Sequence, residues 1–191
     1  CVIGAGAAGL AAVRALIAAG HDFDCFEATD RVGGHWHTDY AALHLITPRD
    51  GSGFSGDPMP SEWAHFPRRS QMVEYLEGHA DRYDLRSRVT FGIRVERLDP
   101  VGPNGQDGWD VTTSDGATRR YAGVLVANGH NSVPSIPATP GAFTGKQLHS
   151  GAYHDPGDID GKRVLVVGSG NSGCDIASEL AQAGYDIVLS V

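Results

Sequence analysis

One pattern occurs twice in this chain, and it constrains the fold more than any other feature. A short apolar run stops on a glycine, a glycine-spaced turn follows, and a helix-forming stretch closed by another glycine leads into a second apolar run. In the first copy Cys1-Val2-Ile3 runs into Gly4-Ala5-Gly6-Ala7-Ala8-Gly9, which fits G-x-G-x-x-G. Leu10 to Ala19 is then rich in helix formers, Gly20 stands where a helix would end, and Phe23 to Glu27 reads as the next strand. In the second copy Lys162 to Val167 is the apolar strand and Gly168-Ser169-Gly170-Asn171-Ser172-Gly173 the turn. A helix reaches Ala183, Gly184 ends it, and Tyr185 to Val191 follows. Gly4 aligns with Gly168 and Gly20 with Gly184 without a gap. A lone glycine-rich turn is a weak signal, but the same turn repeated in the same strand–helix–strand setting is a strong one.

Each part of such a corner has a mechanical reason to suit a dinucleotide. Gly4 permits the tight turn, Gly6 lets backbone approach a pyrophosphate, and Gly9 lets the helix pack on the strand. The first helical turn, through Ala7 and Ala8, offers free N–H groups to phosphate oxygens. Glu27, ending the second strand, can accept hydrogen bonds from ribose hydroxyls. In the second copy the residue opposite Glu27 is Val191. An NAD site wants a carboxylate there, whereas a 2′-phosphate is repelled by one and wants arginine nearby. The second corner is therefore expected to take NADPH rather than NADH, with a basic cluster just past Val191.

Composition narrows the class. Within 191 residues, 41% hydrophobic and 20% charged content exclude disorder, and 26 glycines without a three-residue period exclude collagen. A formal charge of -8 leaves no footprint for nucleic acid or an anionic membrane surface. Arg14 interrupts the alanine-rich run from Ala5 to Ala19, and no segment reaches the ~18 apolar residues of a membrane span. Cys1, Cys25 and Cys174 form no CxxC pair, so they read as small buried hydrophobes in a reducing, cytoplasmic compartment. His35 and His37 are the closest histidine pair and lack partners at metal spacing, so no metal is expected. The chain opens inside one strand and closes at the end of another, and both ends look cut.

Between the two corners, Arg31-Val32-Gly33-Gly34-His35-Trp36 could lay backbone against a flat ligand or could be a surface turn with a packing tryptophan. Ala41 to Pro67 reads as a long irregular excursion. Ser70 is expected to cap a helix reaching Tyr83, with Val73, Leu76, Ala80 and Tyr83 at helical spacing and His79 as a packing or surface residue. Val89 to Leu98 alternates like a strand. Trp109 to Thr113 and Thr118 to Ala122 flank an Asp115-Gly116 hairpin turn. Gly123 to Gly129 reads as a central parallel strand delivered to a ligand edge, and Pro134, Pro137 and Pro140 as a stiff connector.

Phe143-x-Gly145-x-x-x-His149-x-x-x-Tyr153 matches F-x-G-x-x-x-H-x-x-x-[YF] and stands just before the second glycine turn. With Glu27 followed by Gly33-Gly34-x-Trp36, it makes the chain resemble the flavin-containing monooxygenase family along essentially its whole length. Physically the motif also reads as a linker held by packing. Two departures are visible. Tyr153 is followed by His154-Asp155-Pro156 and Asp39-Tyr40 by Ala41-Ala42, unlike the related Baeyer–Villiger enzymes. Thr47-Pro48-Arg49-Asp50 stands nearest to the family's Asn-x-Pro-Lys-Glu-like segment and lacks its Asn.

The resemblance implies an α/β fold: a Rossmann-like FAD-binding domain over 1–142 with a small antiparallel insertion, a linker over 143–160, and the first β-α-β of a Rossmann-like NADPH-binding domain over 161–191. It implies FAD on Gly4, Gly6, Ala7, Ala8, Gly9, Glu27, Arg31, Gly34, Trp36, Val95 and Ala127. NADPH would sit on Gly168, Ser169, Gly170, Asn171, Ser172 and Gly173, and no catalytic side chain is assigned. The activity implied is a cycle in which NADPH reduces FAD and a C4a-hydroperoxyflavin passes one oxygen atom of O₂ to a nitrogen or sulfur of a small molecule. Another pyridine-nucleotide flavin oxidoreductase and a non-catalytic FAD-binding module are the alternatives. The 191 residues alone are expected to hold FAD poorly and to be inactive.

Overall fold

A computed structural model of the chain describes residues 1–138 and 140–191. In chain order its elements are β1 (Val2–Ile3), α1 (Ala7–Ala18), β2 (Cys25–Glu27), α2 (Arg49–Ser52), α3 (Arg69–Arg82), β3 (Thr90–Phe91), β4 (Val95–Pro100), β5 (Trp109–Thr113), β6 (Thr118–Tyr121), β7 (Leu125–Val126), β8 (Arg163–Val167), α4 (Asn171–Gln182) and β9 (Asp186–Ser190). By contacts the chain divides into two units, Cys1–His35 with Val73–Gly129, and Trp36–Met72 with His130–Val191. The mixed α/β fold, with a parallel sheet and a small antiparallel one, is the class expected from the sequence.

The first unit holds a four-stranded parallel sheet in the order β3-β2-β1-β7. Its strand order reverses at β1: successive strands step outward through β2 and β3, and β7 returns to the other side of β1. Crevices at such reversals, outside the carboxyl ends of the strands, are where open α/β sheets receive ligands. Val2 in β1 and Leu10 and Val13 in α1 are each 0% exposed, and burying each stabilises the corner by about 1.5–3 kcal/mol. From α3, Met72, Tyr75, Leu76, His79 and Ala80 are buried at helical spacing. His79 is a core residue at 0% exposure, its ring 4.9 Å from that of Tyr83, over which the Arg14 guanidinium lies at 3.8 Å.

Three expectations change here. Ser70 lies inside the first turn of α3 rather than capping it, because Gln71 Oε1 takes the Arg68 N–H at 3.0 Å. The alternating run from Val89 to Leu98 is two strands, β3 parallel to β2 and β4 antiparallel to β5, broken where Gly92 adopts a φ of +71°. Alternation has the same period in both sheets, so it could not reveal the break. The apolar run before Gly129 pairs only through Leu125 and Val126, and among the described residues β1 is its sole strand neighbour.

The expected hairpin closes as the sequence suggests, with Asp115 Oδ1 accepting from the Ala117 N–H and the Thr113 hydroxyl at 3.1 and 2.7 Å. β4 joins it to make a three-stranded antiparallel sheet. Tyr121 ties that sheet to the parallel one by donating to Asp24 at 2.5 Å.

In the second unit β8 and β9 pair in parallel with α4 between them in sequence. Tyr40, Tyr153, Ile176 and Leu180 form its core, with Leu43, Val164 and Ile187 packed against them. The excursion from Ala41 to Pro67 contains α2 and two isolated bridges, His44 to Arg68 and Phe54 to Asp57. Two arginines organise it in place of an apolar stripe. Arg49 donates to the Ser61 and Trp63 carbonyls, and Arg69 to those of His37 and Asp39. Of the three cysteines Cys25 is buried as expected, whereas Cys174 is exposed.

Burial, reinforced by the Glu27 carboxylate, pushes the Cys25 thiol from 9.0 up to about 12. Burial likewise moves Tyr40 and Tyr121 from 10.0 up to about 12. Each group ionises first in the unfolded chain, which alkali therefore favours. Stability is expected to hold below pH 9 and to fall progressively from there to about 12, a trend read from denaturation midpoints across that range. A midpoint that rises over the range would contradict these shifts.

Candidate functional site

The two glycine corners have the same backbone. Gly4 and Gly168 have φ of +98° and +102°, which side chains rarely adopt. Gly6 and Gly170 cap the helices in extended conformation, with φ of -74° and -70°, and neither cap carries a side-chain hydrogen bond. Each helix is 12 residues long. Each ends in a Schellman closure: Gly20 N–H to Ile17 and His21 N–H to Leu16 in one, Gly184 N–H to Ala181 and Tyr185 N–H to Leu180 in the other. The strand registers correspond as well, Val2 opposite Cys25 and Ile3 opposite Phe26 matching Val166 opposite Leu189 and Val167 opposite Ser190. The Gly4 N–H donates to Phe26 and the Gly168 N–H to Ser190, both at 2.8 Å. Val191 thus follows β9 at the place where Glu27 closes β2.

Both corners are packed so that glycine is required where the helix meets the strand. A Cβ on Gly9 would overlap the Gly4 carbonyl oxygen, and one on Gly173 would overlap that of Gly168. A Cβ on Gly4 would lie 2.5 Å from the Ala127 carbonyl oxygen, at the end of β7. By contrast a Cβ on Gly170 would meet nothing within 4 Å. The N-caps of α1 and α4 are therefore bare backbone that makes no side-chain cap bond, as the approach of a pyrophosphate needs.

At the first corner Glu27 is 7% exposed. Its Oε2 accepts from the Ala5 N–H at 2.8 Å, and its Oε1 from the Thr29 N–H at 2.8 Å and lies 2.8 Å from the Thr29 hydroxyl. Three donors fix the carboxylate, and its remaining lone pairs can take ribose hydroxyls. The glycine pair after β2 closes on the same corner. The Gly33 N–H donates to Ala5 at 3.0 Å, and a Cβ on Gly34 would lie 3.4 Å from Gly6 Cα. Bare backbone on both sides suits close approach by a flat, phosphate-bearing ligand.

The other residues expected from the sequence are placed as follows. Ala127 is hydrogen-bonded to Ile3 at 2.8 Å and abuts Gly4. Val95 opens β4, two residues after Ile93, whose N–H donates to the Glu27 carbonyl at 3.0 Å. Trp36 is buried in the short 3-10 turn Gly34–His37. The Arg31 guanidinium is exposed and paired with Asp30 at 2.7 and 3.0 Å, so phosphate binding there would have to draw it from that partner. Sequence reading missed Thr29, which braces Glu27. Its signal, a hydroxyl two residues past the strand-ending acid, is interpretable only once the carboxylate's direction is known.

Among the described residues no group of three or more His, Cys, Asp or Glu is placed to hold a metal ion, and no helix is long and apolar enough to cross a membrane.

Comparison with known proteins places this geometry. The family model described as flavin-binding monooxygenase-like matches residues 1–191. Flavin-containing monooxygenase 3 of Rattus norvegicus is 35% identical over 207 residues, covering 99% of this chain and 39% of the relative. The chain thus spans about two-fifths of the length of that curated relative. A flavin-containing monooxygenase structure from Stenotrophomonas maltophilia matches with a TM-score of 0.86 and 32% identity, over 98% of this chain and 56% of that one. The S-allyl-L-cysteine S-oxygenase of Allium sativum matches with a TM-score of 0.85 and 26% identity, over 98% and 49%. OTEMO in complex with FAD and NADP matches with a TM-score of 0.79 and 27% identity, over 98% and 38%.

Proposed function

This chain belongs to the flavin-binding monooxygenase-like family, and on that premise we propose that it carries both dinucleotide corners of an FAD- and NADPH-dependent monooxygenase. The reaction is transfer of one oxygen atom of O₂ to a nucleophilic nitrogen or sulfur of a small molecule. The observation that carries this reading is the pair of matching corners that differ at one position, a buried carboxylate in the first and Val191 in the second.

The residues present fit FAD at the first corner. Gly4, Gly6 and Gly9 shape the turn, the Ala7 and Ala8 amides would hold the pyrophosphate, and Glu27 would accept from ribose hydroxyls. Gly34, Trp36, Val95, Ala127 and Arg31 are the further residues assigned to FAD. When bound, FAD supplies the redox chemistry that activates O₂. The second corner, Gly168, Ser169, Gly170, Asn171, Ser172 and Gly173, receives NADPH, because Val191 offers no negative charge to repel a 2′-phosphate. Domain boundaries near residues 142 and 160 accompany this assignment. When bound, NADPH would supply the two electrons that, with two protons, take the second oxygen atom of O₂ to water. The chain's own part is to bind and orient two nucleotides, so the chemistry needs no nucleophilic triad.

The support for an N- or S-directed reaction is the likeness to an S-oxygenase and the departures from the Baeyer–Villiger enzymes at Ala41-Ala42 and His154-Asp155-Pro156. The test uses the full-length protein loaded with FAD. NADPH oxidation and O₂ uptake are expected to rise with an added thioether or tertiary amine, giving sulfoxide or N-oxide, with NADH much the poorer donor. NADPH oxidation yielding no oxygenated product would indicate a reductase instead, and FAD binding without any NADPH oxidation would indicate a binding module.

A further inference from the structure

The motif from Phe143 to Tyr153 takes no part in the two cradles as such, yet each of its four fixed residues has a physical task. The Phe143 ring lies over Gly145, where a Cβ would come within 2.5 Å of it. His149 Nδ1 accepts from the Gly151 N–H at 3.1 Å and caps the short 3-10 turn Ser150–Ala152. That turn delivers Tyr153, which is 3% exposed, into the core of the second unit. There its hydroxyl donates to Glu179 Oε2 on α4 at 2.7 Å.

A second tyrosine does the same one helical turn earlier. Tyr40, 5% exposed, donates to Asp175 Oδ2 at 3.0 Å, and Asp175 and Glu179 stand four residues apart on one face of α4. The two tyrosine segments are joined to each other, the Ala41 N–H donating to the His154 carbonyl at 2.8 Å with the rings 6.3 Å apart. A third hydroxyl, that of Tyr185 just past the helix, donates to the Pro156 carbonyl at 2.8 Å. Ile176 and Leu180 fill the adjoining face of α4.

We propose that Tyr40 and Tyr153 are positioning residues for the second dinucleotide corner, clasping α4 by its two carboxylates so that the amides of Asn171 to Gly173 are held in register for the pyrophosphate of a nicotinamide dinucleotide. This rests on the reading of that corner as the NADPH site. Two further contacts bear on it. Ser172, a residue of the glycine turn itself, lies close to the Tyr40 hydroxyl. His44 Nδ1 lies 3.8 Å from Asp175, which adds an imidazole to the same cluster. The Tyr40 hydroxyl thus bonds Asp175 on the helix with Ser172 of the turn beside it. A purely apolar core would fix the distance of α4 from its surroundings but not its rotation or its slide along its own axis. Two directed hydrogen bonds one turn apart fix both.

The test is a set of variants in the full-length, FAD-loaded protein, read by NADP⁺ dissociation constant, NADPH KM and kcat, and FAD stoichiometry. Tyr40→Phe and Tyr153→Phe remove one hydroxyl each and keep the ring. Each is expected to weaken NADP⁺ binding about fivefold, and the pair about twentyfold, as for loss of one and two hydrogen bonds. KM for NADPH should rise while kcat at saturation and FAD content stay level. Glu179→Gln keeps an acceptor and should retain more of the affinity than Glu179→Leu, which tests the same bond from the helix side if a tyrosine variant does not fold. Unchanged NADP⁺ affinity in the variants, or FAD loss in parallel with it, would overturn the clasp. A wild-type protein that binds FAD but no NADP⁺ would overturn the reading of the corner itself, and the clasp with it.

Discussion

Replacing Gly9 by alanine is expected to abolish FAD retention in the full-length protein while leaving NADP⁺ affinity within a few-fold of normal. The added Cβ would occupy the position of the Gly4 carbonyl oxygen, which is backbone and cannot rotate away. α1 must therefore lift off β1, or the turn must open. Overpacking of this kind costs about 1–3 kcal/mol even where side chains can yield, and here they cannot. Moving the Gly6, Ala7 and Ala8 amides off the pyrophosphate should cost at least about 3 kcal/mol of binding, on the order of a hundredfold in affinity. Flavin content after gel filtration reads the result. A Gly9→Ala protein that keeps stoichiometric FAD would show that the helix does not approach the strand as described.

Glu27→Leu should be nearly as severe, by a different route. The carboxylate is buried and takes the Ala5 and Thr29 amides, with the Thr29 hydroxyl beside it. Leucine is of similar size but leaves the buried Ala5 N–H without an acceptor, whereas the exposed Thr29 donors can turn to water. One unsatisfied buried donor costs about 1–3 kcal/mol, and a loss of that order in unfolding free energy is expected, together with loss of FAD. Glu27→Gln keeps one carbonyl oxygen and should fall between. Chemical denaturation of the three proteins with and without added FAD separates the contributions. If Glu27→Leu were as stable as the parent, the hydrogen bonds seen at the end of β2 would contribute little.

Much of this site was readable before any coordinates because it is made of local backbone. Gly4, Gly20, Gly168 and Gly184 adopt positive φ where a turn or helix end demands it, and such demands are written residue by residue. The opposition of Glu27 and Val191 was a matter of counting, and the paired strand registers reproduce it. The Asp115-Gly116 hairpin is legible for the same reason.

What was not legible depends on partners distant in sequence. Gly92 divides an unbroken alternating run, but which sheet each half joins is decided by β2 on one side and β5 on the other. α3 ends at Arg82, one residue before the expected Tyr83, but the chain then turns at Asp84 with a φ of +51°, a duty usually left to glycine that no residue type announces. The start of α3 is taken by Gln71 rather than Ser70, and both are reasonable residues for a helix entry. Tyr40 and Asp175 are 135 residues apart, and nothing local in either indicates that they meet. His79, fully buried beside Tyr83, could equally have been a surface residue from its helical position.

A crystal structure of the full-length protein with FAD and NADP⁺ bound would be the most direct examination of the whole account. It should show one pyrophosphate on the N–H groups of Gly6 to Gly9, with Glu27 on the adjoining ribose, and the other on those of Gly170 to Gly173 with a 2′-phosphate near Val191. A pyrophosphate lying elsewhere, or either helix start filled by protein side chains, would contradict it.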